Sequence, residues 1–424
     1  MNPEAPFYPH KVRANPDRAF RKALFEDRLT EDDRRLIEEY IAEYQAIRHI
    51  NAHRVLKTVY DLISWRRFIP REFREMTAGD LYAGVNAMQT GISTRGKPFK
   101  QNTKHDYIKA LKSFVLWLIE NAYSVIKREK VKAIQIPHVD HTTTSPDELL
   151  TADEIQRILS ACRSPRDRAI VAVLYETGGR IGEIARLRWR DVVFDEYGVR
   201  VHIHDTKKNR IRYARCTWAR EMLAAWKNVY PLEVDPDGWV FLSTRKQAAM
   251  NYDQIRRRLV MSAKRAGITK RIHTHLFRKS RITHMIQQNF QESIIKQMMW
   301  GNLNTQEFRT YAVLCEADID AEVLDKAGIK RKADQVDPLA PRPCPQCHTI
   351  GGPGSRFCSI CGQALTAAAA AEIADAKRII WADPDMLIEL AGEIRERNAR
   401  EAEAAFPSVP VPSDAIQPSP ARAS

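Results

Sequence analysis

The chain is 424 residues long, 44% hydrophobic and 28% charged, with a formal net charge of +14. That length suits two or three domains, and no run approaches the ~18 consecutive apolar residues of a membrane span. The first twenty residues lack the apolar core of a secretory signal, so the expected location is the cytoplasm, beside the nucleoid, with the seven cysteines outside any disulfide framework. The charge is uneven. Residues 1–330 hold 57 basic and 41 acidic residues, whereas 331–424 hold 10 and 12. A basic body with a near-neutral tail points to a polyanionic partner, most simply nucleic acid.

Residues 1–28 read as an irregular basic segment. Leu36, Ile37, Tyr40, Ile41 and Tyr44 then recur at helical spacing. Further helices are expected over 53–68 and 104–126, the latter on the stripe Tyr107, Ile108, Leu111, Phe114, Val115 and Leu118. Residues 29–136 are thus expected to form an all-helical domain. The polar stretch 137–147, with its Thr run and two prolines, reads as a linker. Thr151 with Glu154 three residues later is a capping box that restarts helix.

Residues 148–330 read as a mainly helical α+β domain. Their one strand-like interval, 191–216, alternates β-branched and aromatic residues around turns at Tyr197–Gly198 and Lys207–Asn209. A small antiparallel sheet packed on helices follows. Beyond a short Pro linker lie a cysteine-rich module over 343–364, a helical tail over 365–404 and a Pro/Ser/Ala-rich, disordered tail over 405–424.

The module pairs Cys344 with Cys347 and Cys358 with Cys361, each as C-x2-C, ten residues apart. Four thiolates in two knuckles suit tetrahedral Zn²⁺, and a closed four-ligand set makes the zinc structural. This is a zinc ribbon in which His348 is a superfluous ligand. Cys162, Cys216 and Cys315 are isolated and read as packing thiols.

A second constellation suits phosphate chemistry. Arg180 follows a Gly-Gly turn at a helix start, with Glu183 three residues later on the same face. His275 and Arg278 are also three apart. Two guanidinium forks can hold the oxygens of a phosphodiester. Lys207 sits at a hairpin turn from which it can reach a cleft and protonate a leaving oxygen, and Lys208 is its neighbouring alternative. Tyr311 lies on a short helix beyond a Gly-Asn loop. Its hydroxyl becomes a nucleophile only among cations and a base. Taken singly, each residue has a plainer reading as a surface ion pair or a core aromatic; their order and company favour catalysis.

The motifs ETGGRIGEIARLRWRDV, HLFRKSRITHMI and QMMWGNLNTQEFRTY resemble the conserved boxes of the tyrosine recombinases, the lambda-integrase and Xer-like family. The likeness covers about residues 30–328. It implies a helical core-binding domain and a catalytic domain that clamp double-stranded DNA, with four protomers on a synaptic complex. It also implies strand cleavage and ligation without ATP through a 3′-phosphotyrosyl bond. In these roles Arg180 and Arg278 clamp the phosphate, Lys207 is the general acid, His275 moves the proton, Glu183 orients the first box and Tyr311 attacks. The family commonly has His or Trp where Asn302 stands. Asn302 keeps a hydrogen-bond donor but loses the ring, and Trp300 is a neighbour that could restore the packing. The expected biological role is integration of a mobile element. The rivals are chromosome dimer resolution, a non-catalytic DNA-binding regulator and a type IB-like topoisomerase. The ribbon or tail is open to an accessory protein.

Overall fold

The computed structural model describes residues 15–48, 50–94, 96–141, 145–205, 210–243, 248–311, 314, 316–328, 337–382, 388–389 and 391–397. Lys207, Lys208 and Cys315 lie outside the described residues, as do the first fourteen residues and the 405–424 tail. The chain divides into two compact units, 1–337 and 338–424.

Among the described residues, the first unit begins with six helices: α1 (Pro16–Phe25), α2 (Glu31–Arg48), α3 (Ala52–Trp65), α4 (Ala78–Thr90), α5 (Gln101–Glu120) and α6 (Arg128–Lys132). Helix α1 corrects the expectation of an irregular 1–28. Asn15 caps it by accepting the Arg18 N–H at 3.3 Å, Pro16 fits its first turn, and Ala19, Phe20 and Ala23 are buried. Its apolar stripe is only three residues long, too short for periodicity to register. The helix expected over 104–126 stops at Glu120, and Ala122 then takes left-handed backbone at φ 58°. Helix α4 was not anticipated; Thr77 and Asp80 cap it reciprocally. Phe20, Leu36, Val59, Trp65, Phe73, Phe114 and Leu118 share one core. The 137–147 segment is tied to the start of α5. Asn102 exchanges two hydrogen bonds with the Asp140 backbone, at 2.8 and 2.7 Å.

Further helices follow: α7 (Ala152–Ser160), α8 (Pro165–Thr177) and the single turn α9 (Ile181–Ile184). The expected capping box is present, with Thr151 and Glu154 exchanging bonds of 2.8 and 3.1 Å. Strands β1 (Val192–Asp195), β2 (Gly198–Asp205) and β3 (Arg210–Cys216) form an antiparallel sheet in sequence order, in the interval the alternation marked. Then come α10 (Ala219–Asn228), the small pair β4 (Leu242–Ser243) and β5 (Ala248–Ala249), α11 (Tyr252–Arg265), α12 (Thr274–Gln287), α13 (Glu292–Trp300), α14 (Phe308–Tyr311) and α15 (Glu316–Lys326). Helix α8 is the hub. Its sequence AIVAVLY is apolar all round, as a helix enclosed by others requires, and it packs against α7, α10, α11, α12 and β3.

In the second unit β6 (Arg342–Pro343) pairs with β7 (Ile350–Gly351), and α16 (Ala367–Ala382) follows. Residues 391–397 of the expected helical tail are also helical. Among the described residues, no helix is long and apolar enough to cross a membrane.

Candidate active site

The site grows from the C-terminus of α8. Thr177 ends the helix by hydrogen-bonding back to the Val173 carbonyl at 2.6 Å. Gly178 then adopts φ 55°, and a Cβ there would lie 2.5 Å from the Met299 sulfur, so only glycine fits. This turn delivers Arg180 to the N-terminus of α9. Buried Glu183 holds it twice, accepting the Arg180 backbone N–H at 2.8 Å and its Nη1 at 3.1 Å. The same carboxylate accepts Arg212 Nη2 from β3 at 2.7 Å.

Helix α12 supplies the next two groups. His273 caps it, its Nδ1 accepting the Leu276 N–H at 3.1 Å. His275 and Arg278 then face the site one turn apart. Arg278 is fully buried. Its Nη1 donates to the Gly178 carbonyl at 2.5 Å and its Nη2 to the Met299 carbonyl at 3.0 Å. Two of its five N–H donors are engaged by those bonds, and its buried Nε has no partner among the described residues. Arg212 Nη1 takes the adjacent Met298 carbonyl at 2.7 Å. Two guanidiniums thus satisfy carbonyls that the last turn of α13 leaves open.

Tyr311, at the end of α14, is buried against this group. Its hydroxyl lies 2.8 Å from His275 Nε2, and its ring centroid is 5.5 Å from the Arg278 guanidinium carbon. Trp300 packs edge-on to Tyr311, with centroids 5.4 Å apart, and under Arg278 at 4.9 Å. Burial, reinforced by Arg278 and other nearby cations, pushes the His275 imidazole down to about 4. The ring is therefore neutral at pH 7, and Nε2 can accept the tyrosine proton. Burial also lowers Arg278, to about 10, which leaves it charged. One neutral base and the guanidiniums of Arg278 and Arg180 border a phenol, the setting in which a tyrosine can attack an anionic ester.

Comparison with known proteins finds relatives of this chain. Residues 148–314 match the phage integrase family. A tyrosine recombinase of Thermosipho africanus is 25% identical over 279 residues, 64% of this chain and 93% of that protein. Tyrosine recombinase XerC of Shewanella sp. (strain ANA-3) is 23% identical over 306 residues, covering 70% and 97%. In fold, the chain is similar to a lambda integrase (75–356) dimer bound to a COC′ core site, with a TM-score of 0.50 and 16% identity over 70% of this chain and 98% of that one. The chain carries a phage integrase domain over residues 148–314 and is similar to tyrosine recombinases. It is a site-specific DNA recombinase.

The recombinase brings Arg180, Glu183, His275, Arg278 and Tyr311 into one cluster. Lys207, the expected general acid, lies outside the described residues, in the connection between β2 and β3. Asn302 serves its own loop, its Oδ1 accepting the Asn304 N–H at 3.1 Å. The packing against Tyr311 comes from Trp300.

Two members of the cluster escaped sequence reasoning. Arg212 had a signal: Arg212, Ala214 and Cys216 occupy the buried register of β3, so an arginine there needs a buried partner. Glu307 had none. It accepts Trp300 Nε1 at 2.7 Å and Arg180 Nη2 at 3.4 Å on one oxygen, Oε2.

In the second unit, Cys344, Cys347, Cys358 and Cys361 converge, their sulfurs all within 4.8 Å of one another. The Cys344–Cys361 and Cys347–Cys358 sulfurs are each 3.5 Å apart. A tetrahedral ion with Zn–S bonds of ~2.3 Å implies edges of about 3.8 Å, so the set fits one such ion. Each knuckle ends in left-handed backbone, His348 at φ 59° and Gly362 at φ 73°. That is where His348 serves the turn.

Proposed function

We propose that this recombinase cuts and rejoins DNA through a 3′-phosphotyrosyl intermediate at Tyr311. The observation that carries the reading is the 2.8 Å contact between the Tyr311 hydroxyl and a neutral His275 inside a guanidinium cluster. His275 takes the tyrosine proton as Oη attacks phosphorus. Arg180 and the free N–H groups of Arg278 hold the non-bridging oxygens as negative charge builds on them. The P–O5′ bond breaks, and Lys207, or Lys208 beside it, protonates the leaving 5′-oxygen. One phosphoester replaces another, so the linkage energy is retained and ATP is not needed. Reversal with a different 5′-hydroxyl completes strand exchange.

The partner is double-stranded DNA, as the +16 surplus of residues 1–330 and the DNA in the lambda integrase dimer both favour. A lambda integrase tetramer on a Holliday junction, with a TM-score of 0.50 at 17% identity over 70% of this chain and 79% of that one, supports assembly as four protomers. The helical domain 29–136 and the catalytic domain 148–330 form the two arms of the clamp. The four cysteines hold a structural zinc ion, which ties the two knuckles together. The favoured role is integration of a mobile element. The XerC relative favours chromosome dimer resolution as the second reading.

The deciding experiment incubates the protein with nicked DNA spanning its own gene and flanks, then looks for an SDS-resistant adduct. An adduct that Tyr311→Phe abolishes supports the reading; an adduct that survives overturns the choice of nucleophile. Tight binding without an adduct favours a non-catalytic regulator. A cleavage site beside the chain's own gene favours integration, and a site elsewhere in the chromosome favours dimer resolution.

A further inference from the structure

We propose that Arg180 and the Trp300 indole N–H form an anion subsite, held by the Glu307 carboxylate until DNA arrives. Trp300 then becomes a further catalytic residue, donating to a non-bridging oxygen of the scissile phosphodiester. The inference rests on the recombinase reading above.

The first argument is convergence. Two donors from different elements, Arg180 ahead of α9 and Trp300 at the end of α13, meet on the same Glu307 oxygen. The second is that the donors are fixed while the acceptor is exposed. The Trp300 ring is buried between Arg278 and Tyr311, so its N–H direction is set. The Glu307 side chain is 53% exposed, and an exposed ion pair contributes little. The third is chemical equivalence. A carboxylate and a phosphodiester each spread one negative charge over two acceptor oxygens, so either satisfies the same two donors. The fourth is position. The subsite borders the Tyr311 ring, where an attacked phosphate must sit. A carboxylate left beside that phosphate would repel it, so Glu307 must turn outward when DNA binds.

Two measurements test this. The first needs no DNA. In protein labelled with ¹⁵N-tryptophan, the Trp300 indole resonance is the one lost in Trp300→Phe. Titrating inorganic phosphate should shift that resonance in Glu307→Ala at concentrations about tenfold below those needed in the wild type. A resonance in Glu307→Ala that ignores phosphate overturns the subsite. The second uses the adduct assay. At subsaturating DNA, Glu307→Ala should form adduct about tenfold faster than wild type. Trp300→Phe, which keeps a ring against Tyr311 but lacks the N–H, should cleave at least tenfold more slowly at saturating DNA. In the double variant the Glu307→Ala gain should shrink. Slower cleavage in Glu307→Ala would make the carboxylate a support rather than a placeholder and overturn the proposal. If the wild type forms no adduct, the recombinase chemistry fails while the phosphate titration still decides the subsite.

Discussion

His275 and His284 enter the folded protein uncharged, and that has a cost in acid. His275 faces Tyr311, and His284 hydrogen-bonds the Tyr175 hydroxyl at 2.7 Å. Burial pushes both imidazoles down to about 4, against ~6.5 in an unfolded chain. Between those values the unfolded state binds protons that the native state refuses, so stability is full above about pH 6.5 and falls as pH drops toward 4. Each histidine contributes up to about 3 kcal/mol to that loss. Urea midpoints for wild type and His275→Gln at pH 7 and pH 4.5 check this. The variant should lose less between the two, and equal losses would mean that His275 carries a charge in the native state. The same low value makes adduct formation insensitive to His275 titration between about pH 5.5 and 8.

At the scale of elements, the arginines join pieces that the sequence separates. Arg212 links β3 to Glu183 of α9 and to the last turn of α13, while Arg278 links α12 to the ends of α8 and α13. Removing one partner of a buried charged pair typically costs ~3–5 kcal/mol. Arg212→Met should lower unfolding stability by about that much and abolish the adduct, because Glu183 then no longer fixes Arg180 in place. Gly178→Ala should act from the other side. It strains the left-handed turn by ~1–2 kcal/mol and drives a methyl into Met299, displacing a carbonyl that Arg278 holds. A Gly178→Ala protein of wild-type stability and activity would show that the turn can give way. These links explain what could be read in advance. The α5 stripe, the Thr151 cap, the hairpin interval and the cysteine knuckles are local patterns, legible within a few residues. Arg212 and Glu307 depend on a strand register and a loop closure that bring together residues 29 and 127 positions apart, and no local pattern encodes those. Helix α1 was missed for the opposite reason: its signal is local but only three residues long.

At the scale of the whole molecule, the chemistry and the cysteine module occupy different units. Every residue of the candidate site lies at or before Tyr311, whereas the four cysteines begin at Cys344. Metal affinity of such a module is folding energy for the module itself. A strong chelator should therefore expose residues 338–382 to protease and leave adduct formation at its wild-type rate; a parallel loss of cleavage would show that the unit contributes to the reaction. The described part of the site lies within one chain, since Tyr311 rests 2.8 Å from His275 of its own protomer. That arrangement predicts cleavage in cis within the proposed tetramer. Mixing Tyr311→Phe protein, whose arginines are intact, with Arg180→Ala protein, whose tyrosine is intact, separates the alternatives. In cis, no protomer of the mixture unites a nucleophile with a full clamp, and no adduct should appear. In trans, the tyrosine of one protomer would reach the arginines of its neighbour and restore the adduct, which would require α14 to leave the position in which it is held here by His275, Arg278 and Trp300.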